Sequence, residues 1–127
     1  MLVKKPEPQV LEVPQLGRRV RVTFYQPVHG QTDDAPSIAS CGPNREPWRQ
    51  VAVSRDLFYT PDGHKRCGET VEIVLDRPVV TASGVKVTVV RGVIWDTMHP
   101  RYRDAVDVLV GPDEPALRYG VVGGWLR

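Results

Sequence analysis

The 127-residue chain is poor in most of the features that announce a function. It holds two cysteines, three histidines and only 7% aromatic residues. Two thiols make at most one bridge and do not settle the redox compartment. Neither sign of charge predominates, since 17 basic and 15 acidic residues leave a formal charge of +2. With no dense Lys/Arg run, the sequence carries no nucleic-acid or membrane-surface footprint. No apolar run reaches the roughly 20 residues a membrane-spanning helix needs. Lys4-Lys5 is followed by Pro6-Glu7-Pro8 rather than an apolar segment, so no signal peptide is expected in this numbering. That leaves a protein that stays where it is made, one whose signal lies before this numbering, or export by another route such as lysis or virion assembly. Helical apolar spacing over three turns is also missing.

What is present points to short strands. Twelve prolines and eleven glycines fit many turns, while 41% hydrophobic and 25% charged residues fit one soluble core. Residues 1–17 carry three prolines and little periodicity, and read as a Pro-rich tail or linker leading into a domain over 18–127. Arg19, Arg21 and Thr23 then alternate with Val20, Val22 and Phe24, the period of a half-buried strand, ended by Tyr25-Gln26-Pro27. Val28 to Gln50 is loop-like, with at most a short strand near Ser37–Ser40. It is either a functional loop or an ordered surface loop whose Asp33 and Asp34 bond backbone amides.

Val51-Ala52-Val53 is a short apolar run, and Pro61-Asp62-Gly63 is a turn. Glu69 to Leu75 alternates, with Val71, Ile73 and Leu75 on one face, until Asp76-Arg77-Pro78 breaks it. Val85 to Ile94 predicts a long strand with a bulge around Gly92. Val106 to Val110 and Val121 to Leu126 are further strands, separated by the Pro112–Pro115 turn and one helical turn at Ala116–Gly120. A mostly-β domain of this size hides its strand edges in a small closed barrel or a sandwich.

The central stretch, Val93 to Val110, reads as strand, polar loop, strand. Asp96 leaves the first strand and Asp107 lies inside the second, both among β-branched and aromatic residues where a carboxylate is costly without a partner or a purpose. Arg101 and Arg103 flank Tyr102 in the loop, facing either an anionic glycan or peptide stem, or Asp104 in a salt bridge. Cys41, Cys67 and His64, with His29 or His99, supply enough ligand types for a zinc site. Cys41-Gly42-Pro43 contributes no paired motif, however, and a disulfide or two close thiols at Cys41 and Cys67 is the stronger reading. No metal and no cofactor are expected.

Four pieces, taken in order, resemble the three-aspartate (3D) domain, a double-psi β-barrel related to MltA-type lytic transglycosylases, rare-lipoprotein-A-like proteins and the first domain of expansins. Val22-Thr23-Phe24-Tyr25-Gln26-Pro27 resembles the family's first strand with its Tyr-x-Pro exit. Val51-Ala52-Val53-Ser54 with Cys67-Gly68-Glu69-Thr70-Val71-Glu72-Ile73 resembles its Ala-Val-Asp-Pro and Leu-Gly-Thr-x-Val-x-Ile strands. The central stretch resembles its Asp-Thr-Gly-Gly loop and Ile-Asp-Leu-Tyr strand, with Asp96 and Asp107 eleven positions apart. Arg118-Tyr119-Gly120-Val121-Val122 resembles the closing strand. The family's first aspartate falls on Ser54, with Asp56 two positions on. Its two glycines fall on Met98 and His99, which makes this a divergent branch.

The resemblance implies a six- to seven-stranded double-psi β-barrel with one or two short helical turns. It implies that Asp107 is the catalytic acid, with Asp96 as a second acid that holds the proton or orients the loop. Thr23, Tyr25, Asp34 and Trp95 would line the groove, with Arg101 and Tyr102 as further substrate contacts. The partner implied is peptidoglycan or another polysaccharide, cleaved between muramic acid and glucosamine. The alternatives are a non-catalytic glycan-binding barrel or an assembly module with virion or other protein partners. An aspartate at a strand end can also serve structure alone, by accepting amides in a tight crossover.

Overall fold

A computed structural model describes residues 17–27 and 38–127. The expected tail over 1–17, all but its last residue, lies outside the described residues, as do His29, Asp33 and Asp34. Among the described residues the strands are β1 (Arg18–Tyr25), β2 (Ile38–Ala39), β3 (Gly42–Pro43), β4 (Gln50–Val53), β5 (Thr70–Val80), β6 (Lys86–Thr97), β7 (Ala105–Leu109) and β8 (Val122–Leu126). Two one-turn helices, α1 (Arg55–Phe58) and α2 (Ala116–Tyr119), follow β4 and β7. Among the described residues no helix is long and apolar enough to cross a membrane.

Six strands close into a barrel in the order β1-β7-β4-β6-β5-β8, with β2-β3 a small hairpin beside it. The pairing is mixed. β1–β7 and β4–β6 run parallel, while β1–β8, β4–β7, β5–β6 and β5–β8 run antiparallel. Exchanging β1, β4 and β5 for β6, β7 and β8 reproduces the same set of pairs with the same directions, an internal two-fold relation. The fold is thus mostly β, a closed six-stranded barrel compatible with the double-psi architecture.

Period-two alternation sends Val20, Val22 and Phe24 of β1 inward to meet Val51, Val53, Ile73, Val90, Ile94, Val106, Val108 and Val122. Trp48, Phe24 and Tyr119 close one end of this core with ring centroids 5.1–6.3 Å apart. Parallel neighbours require crossing connections, and these are held by polar bonds. Ser54, fully buried, donates its amide to the Ala105 carbonyl (2.9 Å) and accepts the Ala105 amide on its hydroxyl (3.0 Å). Asp56 accepts the Asp104 amide at 3.2 Å, and Arg18 pairs with Asp104 at 2.6 Å. Burial opposes the charge of Asp56, but bonds from Ser54 and the Asp104 amide hold its carboxyl below the usual range.

The structure corrects several sequence expectations. Pro78 does not end β5, which continues to Val80. Its register with β6 shifts between Val74 and Val79, so Pro78 sits where no ladder donor is needed. Asp56, two positions beyond Ser54, lies in α1 rather than on β4, because the helix begins at Arg55. Gly92 is not a bulge. It stands in register opposite Val71, and the shift on β6 falls further on, where Val51 pairs with Ile94 but Ala52 pairs with Asp96.

Glycine is needed at 92 for another reason, since a Cβ there would stand 2.7 Å from the Arg49 carbonyl oxygen and 2.8 Å from its carbon. Both are backbone atoms with little freedom to give. Gly92→Ala is therefore expected to lower stability by about 1–3 kcal/mol, the usual range for overpacking. Denaturant unfolding checks this, and a midpoint equal to wild type would show that the Arg49 loop yields freely.

Candidate active site

The site is built by register. On the outer wall Thr23 pairs with Asp107, Asp107 with Ala52, and Ala52 with Asp96. Four residues thus form one row across β1, β7, β4 and β6, all facing away from the core. Without the shift at Trp95, Asp96 would fall on the inward parity of Ile94. The extra residue turns its carboxylate outward into the row, the usual effect of a β-bulge. Ala52 spaces the two acids, whose strands stand two ladder steps, about 10 Å, apart.

The two carboxylates are held differently. Asp96 Oδ1 accepts two backbone amides, Ser40 and Thr97, each at 2.9 Å. It ties the β2–β3 hairpin to β6, and the Thr97 hydroxyl completes the tie to the Val53 carbonyl at 3.0 Å. Asp107 accepts the Thr23 hydroxyl at 2.9 Å, and among the described residues no backbone amide reaches its carboxylate. Tyr25, Ala52 and Leu109 form a small buried cluster on this outer face, with Met98 packed against it. Burial, reinforced by the charge of Asp96 and opposed by the Thr23 bond, raises the pKa of Asp107 to about 6. Burial raises that of Tyr25 as well, against the Gln50 bond and with the two aspartates adding to the effect. Its hydroxyl stays protonated at neutral pH.

Gln50 was not singled out in the sequence, yet it organises the neighbourhood. It is fully buried, donates to the Tyr25 hydroxyl at 2.8 Å and to Asn44 at 3.0 Å, and accepts the Arg45 amide at 2.7 Å. A polar residue heading the apolar run Val51–Val53, in phase with Ala52, was the available signal. Gln50→Leu keeps the volume but strands the Arg45 amide. The expected loss is about 1–3 kcal/mol of stability, read by thermal or chemical unfolding, and an unchanged midpoint would mean that solvent replaces the bond.

The remaining predicted site residues are placed as follows. Thr23 and Tyr25 belong to the row and its border, whereas Asp34 lies outside the described residues. Trp95 occupies the bulge, where its indole N–H donates to the Pro43 carbonyl at 2.8 Å and its ring lies under the Arg45 guanidinium at 4.8 Å. Arg101 and Tyr102 are engaged with each other, through a 3.0 Å hydrogen bond and the ring face. Asp104 pairs with Arg18 instead of Arg101 or Arg103. Among the described residues no bond joins Arg101 or Tyr102 to either acid.

Cys41 and Cys67 form a disulfide across a sequence separation of 26, with Cα atoms 5.8 Å apart. Their sulfurs are therefore engaged with each other, while His64 meets Asp62 at 3.2 Å. Among the described residues no three His, Cys, Asp or Glu side chains converge to hold a metal ion. No protein-family model matches the chain, and no curated protein matches it.

Proposed function

We propose that the outer-wall row is the acid/base centre of a peptidoglycan-active barrel of the three-aspartate type, with Asp107 the catalytic residue. One observation carries the reading. A carboxyl with pKa near 6 stands on the outside of a closed barrel, bonded by one hydroxyl and free of backbone amides among the described residues. An acid kept for structure alone would resemble Asp96, with amides on its oxygen.

A carboxyl poised near neutral pH can work in both directions. Protonated, Asp107 gives its proton to the glycosidic oxygen as the bond between muramic acid and glucosamine breaks. As carboxylate, it then takes the proton of the same sugar's 6-hydroxyl, whose oxygen closes on the anomeric carbon. The product is a 1,6-anhydro sugar, and no water enters. Thr23 orients the carboxyl, and Asp96 supports it by raising its proton affinity and fixing the bulge.

A non-catalytic glycan-binding or assembly module is the second reading. It is favoured by Met98, which stands where the related loop has glycine and packs over the row's apolar border. Digestion of purified sacculi separates the two. The enzymatic reading expects anhydro-muropeptides from wild type and at least about a 100-fold loss in Asp107→Asn, the usual scale of a lost general acid. It also expects the rate to fall above about pH 6 as the carboxyl deprotonates. Retention on sacculi without any anhydro product would establish the binding module instead.

A further inference from the structure

A second feature lies along the outer face of β6, away from the acid row. An open cavity of about 590 Å³ is lined by Arg45, Glu46, Arg49, Thr70, Arg91 and Val93. Three guanidiniums against one carboxylate make it cationic. Arg91 is already committed through one nitrogen to Glu72 at 2.6 Å, and a guanidinium has further N–H groups to offer. Arg45 and Arg49 have no ion pair among the described residues.

The loop presenting these two arginines is clamped at many points. Its Trp48 holds a positive φ of 66°, a conformation an aromatic side chain resists. That strain is sustained by the Trp48 amide bond to the Leu109 carbonyl (2.7 Å) and by the indole packed on Phe24 and Tyr119. Gln50 fixes the Arg45 amide, and the Val93 amide donates to the Arg49 carbonyl at 3.0 Å across the gap that Gly92 leaves open. A rigid, strained turn that brings two guanidiniums without an ion pair to an open cavity is the construction of a binding site rather than of a solvated loop.

We propose that Arg45, Arg49 and Arg91 bind the carboxylates of an extended acidic glycan, the same polymer whose backbone reaches Asp107; the assignment of polymer rests on the function proposed above. Two observations set the ligand class. The cavity is far larger than a single oxyanion, and Val93 beside the arginines gives it an apolar floor. It also borders the strand that carries Asp96 of the acid row. Arg45 covers Trp95, the residue before Asp96, and Arg91 to Asp96 spans about 16 Å along β6. Guanidiniums meet carboxylates bidentately, so stem-peptide carboxylates on a glycan strand fit, and Glu46 leaves an acceptor for their amides.

The test uses soluble, uncrosslinked peptidoglycan strands as probe, with the full chain carrying Asp107→Asn so that cleavage does not interfere. Binding is measured by calorimetry for strands with free carboxylates and for the same strands after carboxyl amidation. The arginines are exposed, and a thermal scan verifies that the double variant Arg45→Gln/Arg49→Gln is folded. Amidation and the double variant are each expected to weaken binding about tenfold or more, with little further loss when combined. Equal affinity for free and amidated strands, or a double variant that binds as its parent does, overturns the assignment. So does binding of millimolar inorganic phosphate with no binding of strands, which would reduce the site to a small-oxyanion site. Failure of Asp107 as the catalyst appears in anhydro-muropeptide release, a separate readout that the arginine comparison does not depend on.

Discussion

Asp107→Asn is expected to make the protein more stable at pH 7, by up to about 3 kcal/mol, while removing the proposed activity. The folded carboxyl has a pKa of about 6 against 3.8 for the same group in water, and each unit of difference is worth about 1.4 kcal/mol. Because the folded value is the higher one, the native state holds this proton more tightly than the unfolded chain. The associated stability is fully present below about pH 4 and is lost as pH rises through about 6. Asparagine carries no charge to desolvate and still offers an oxygen to the Thr23 hydroxyl. The difference in unfolding free energy between variant and wild type should be small near pH 4 and grow to its plateau by pH 7. Taking the difference matters, because Asp76, Glu72 and Asp62, each held below the usual carboxylate range by hydrogen bonds from neighbouring side chains, make the protein itself less stable at low pH. Chemical denaturation at pH 4, 5, 6 and 7 reads the effect. A variant less stable than wild type at pH 7 would mean that the carboxylate is better solvated than its position on the wall implies.

Reduction of the disulfide is the second large effect. Closing a loop with a sequence separation of 26 removes chain entropy from the unfolded state worth about 3.5 kcal/mol. Cys41→Ala/Cys67→Ala, or reduction of wild type, should lose most of that. The loss has a local consequence as well. Cys41 donates its amide to the Trp95 carbonyl at 3.0 Å, and the next residue back, Ser40, holds Asp96. Freeing the hairpin therefore weakens the bulge that turns Asp96 toward Asp107, and the proposed activity should fall under conditions where the barrel is still folded. Unfolding midpoints with and without reductant, together with turnover measured well below them, test both parts. An unchanged midpoint on complete reduction would show that the hairpin is held by its backbone bonds alone.

Much of the fold could be read from the residues because alternation is a local signal. β1, β7 and β8 fall within a residue or two of the expected runs, and the single helical turn at Ala116 lies where expected. What could not be read depends on neighbours distant in sequence. Pro78 reads as a breaker, and only the partner strand shows that its missing donor is not needed there. Gly92 reads as a bulge, and only the Arg49 backbone lying over it explains why a side chain is excluded. The pair Asp96 and Asp107 was visible as two acids in apolar strands, but their common face depends on one register shift at Trp95. Gln50 and the arginine turn escaped notice because a polar residue at a strand start and arginines in a loop are common, and their meaning here comes from what they touch.

The two-fold relation of the barrel also governs how the chain can assemble. Every barrel ladder joins one of β1, β4 and β5 to one of β6, β7 and β8, so neither half contains a barrel pair of its own. During synthesis, nothing before the turn at Thr81–Gly84 can begin the barrel until Lys86 and the residues after it have emerged. The first pair available is the β5–β6 hairpin, and the five that remain close over long stretches of chain, a topology that folds slowly for its size. Until then β1, β4 and β5 wait as unpaired, valine-rich segments. Early folding and the exposure of sticky edges are thus set by the late arrival of β6, the strand that carries Asp96 and bounds the arginine cavity.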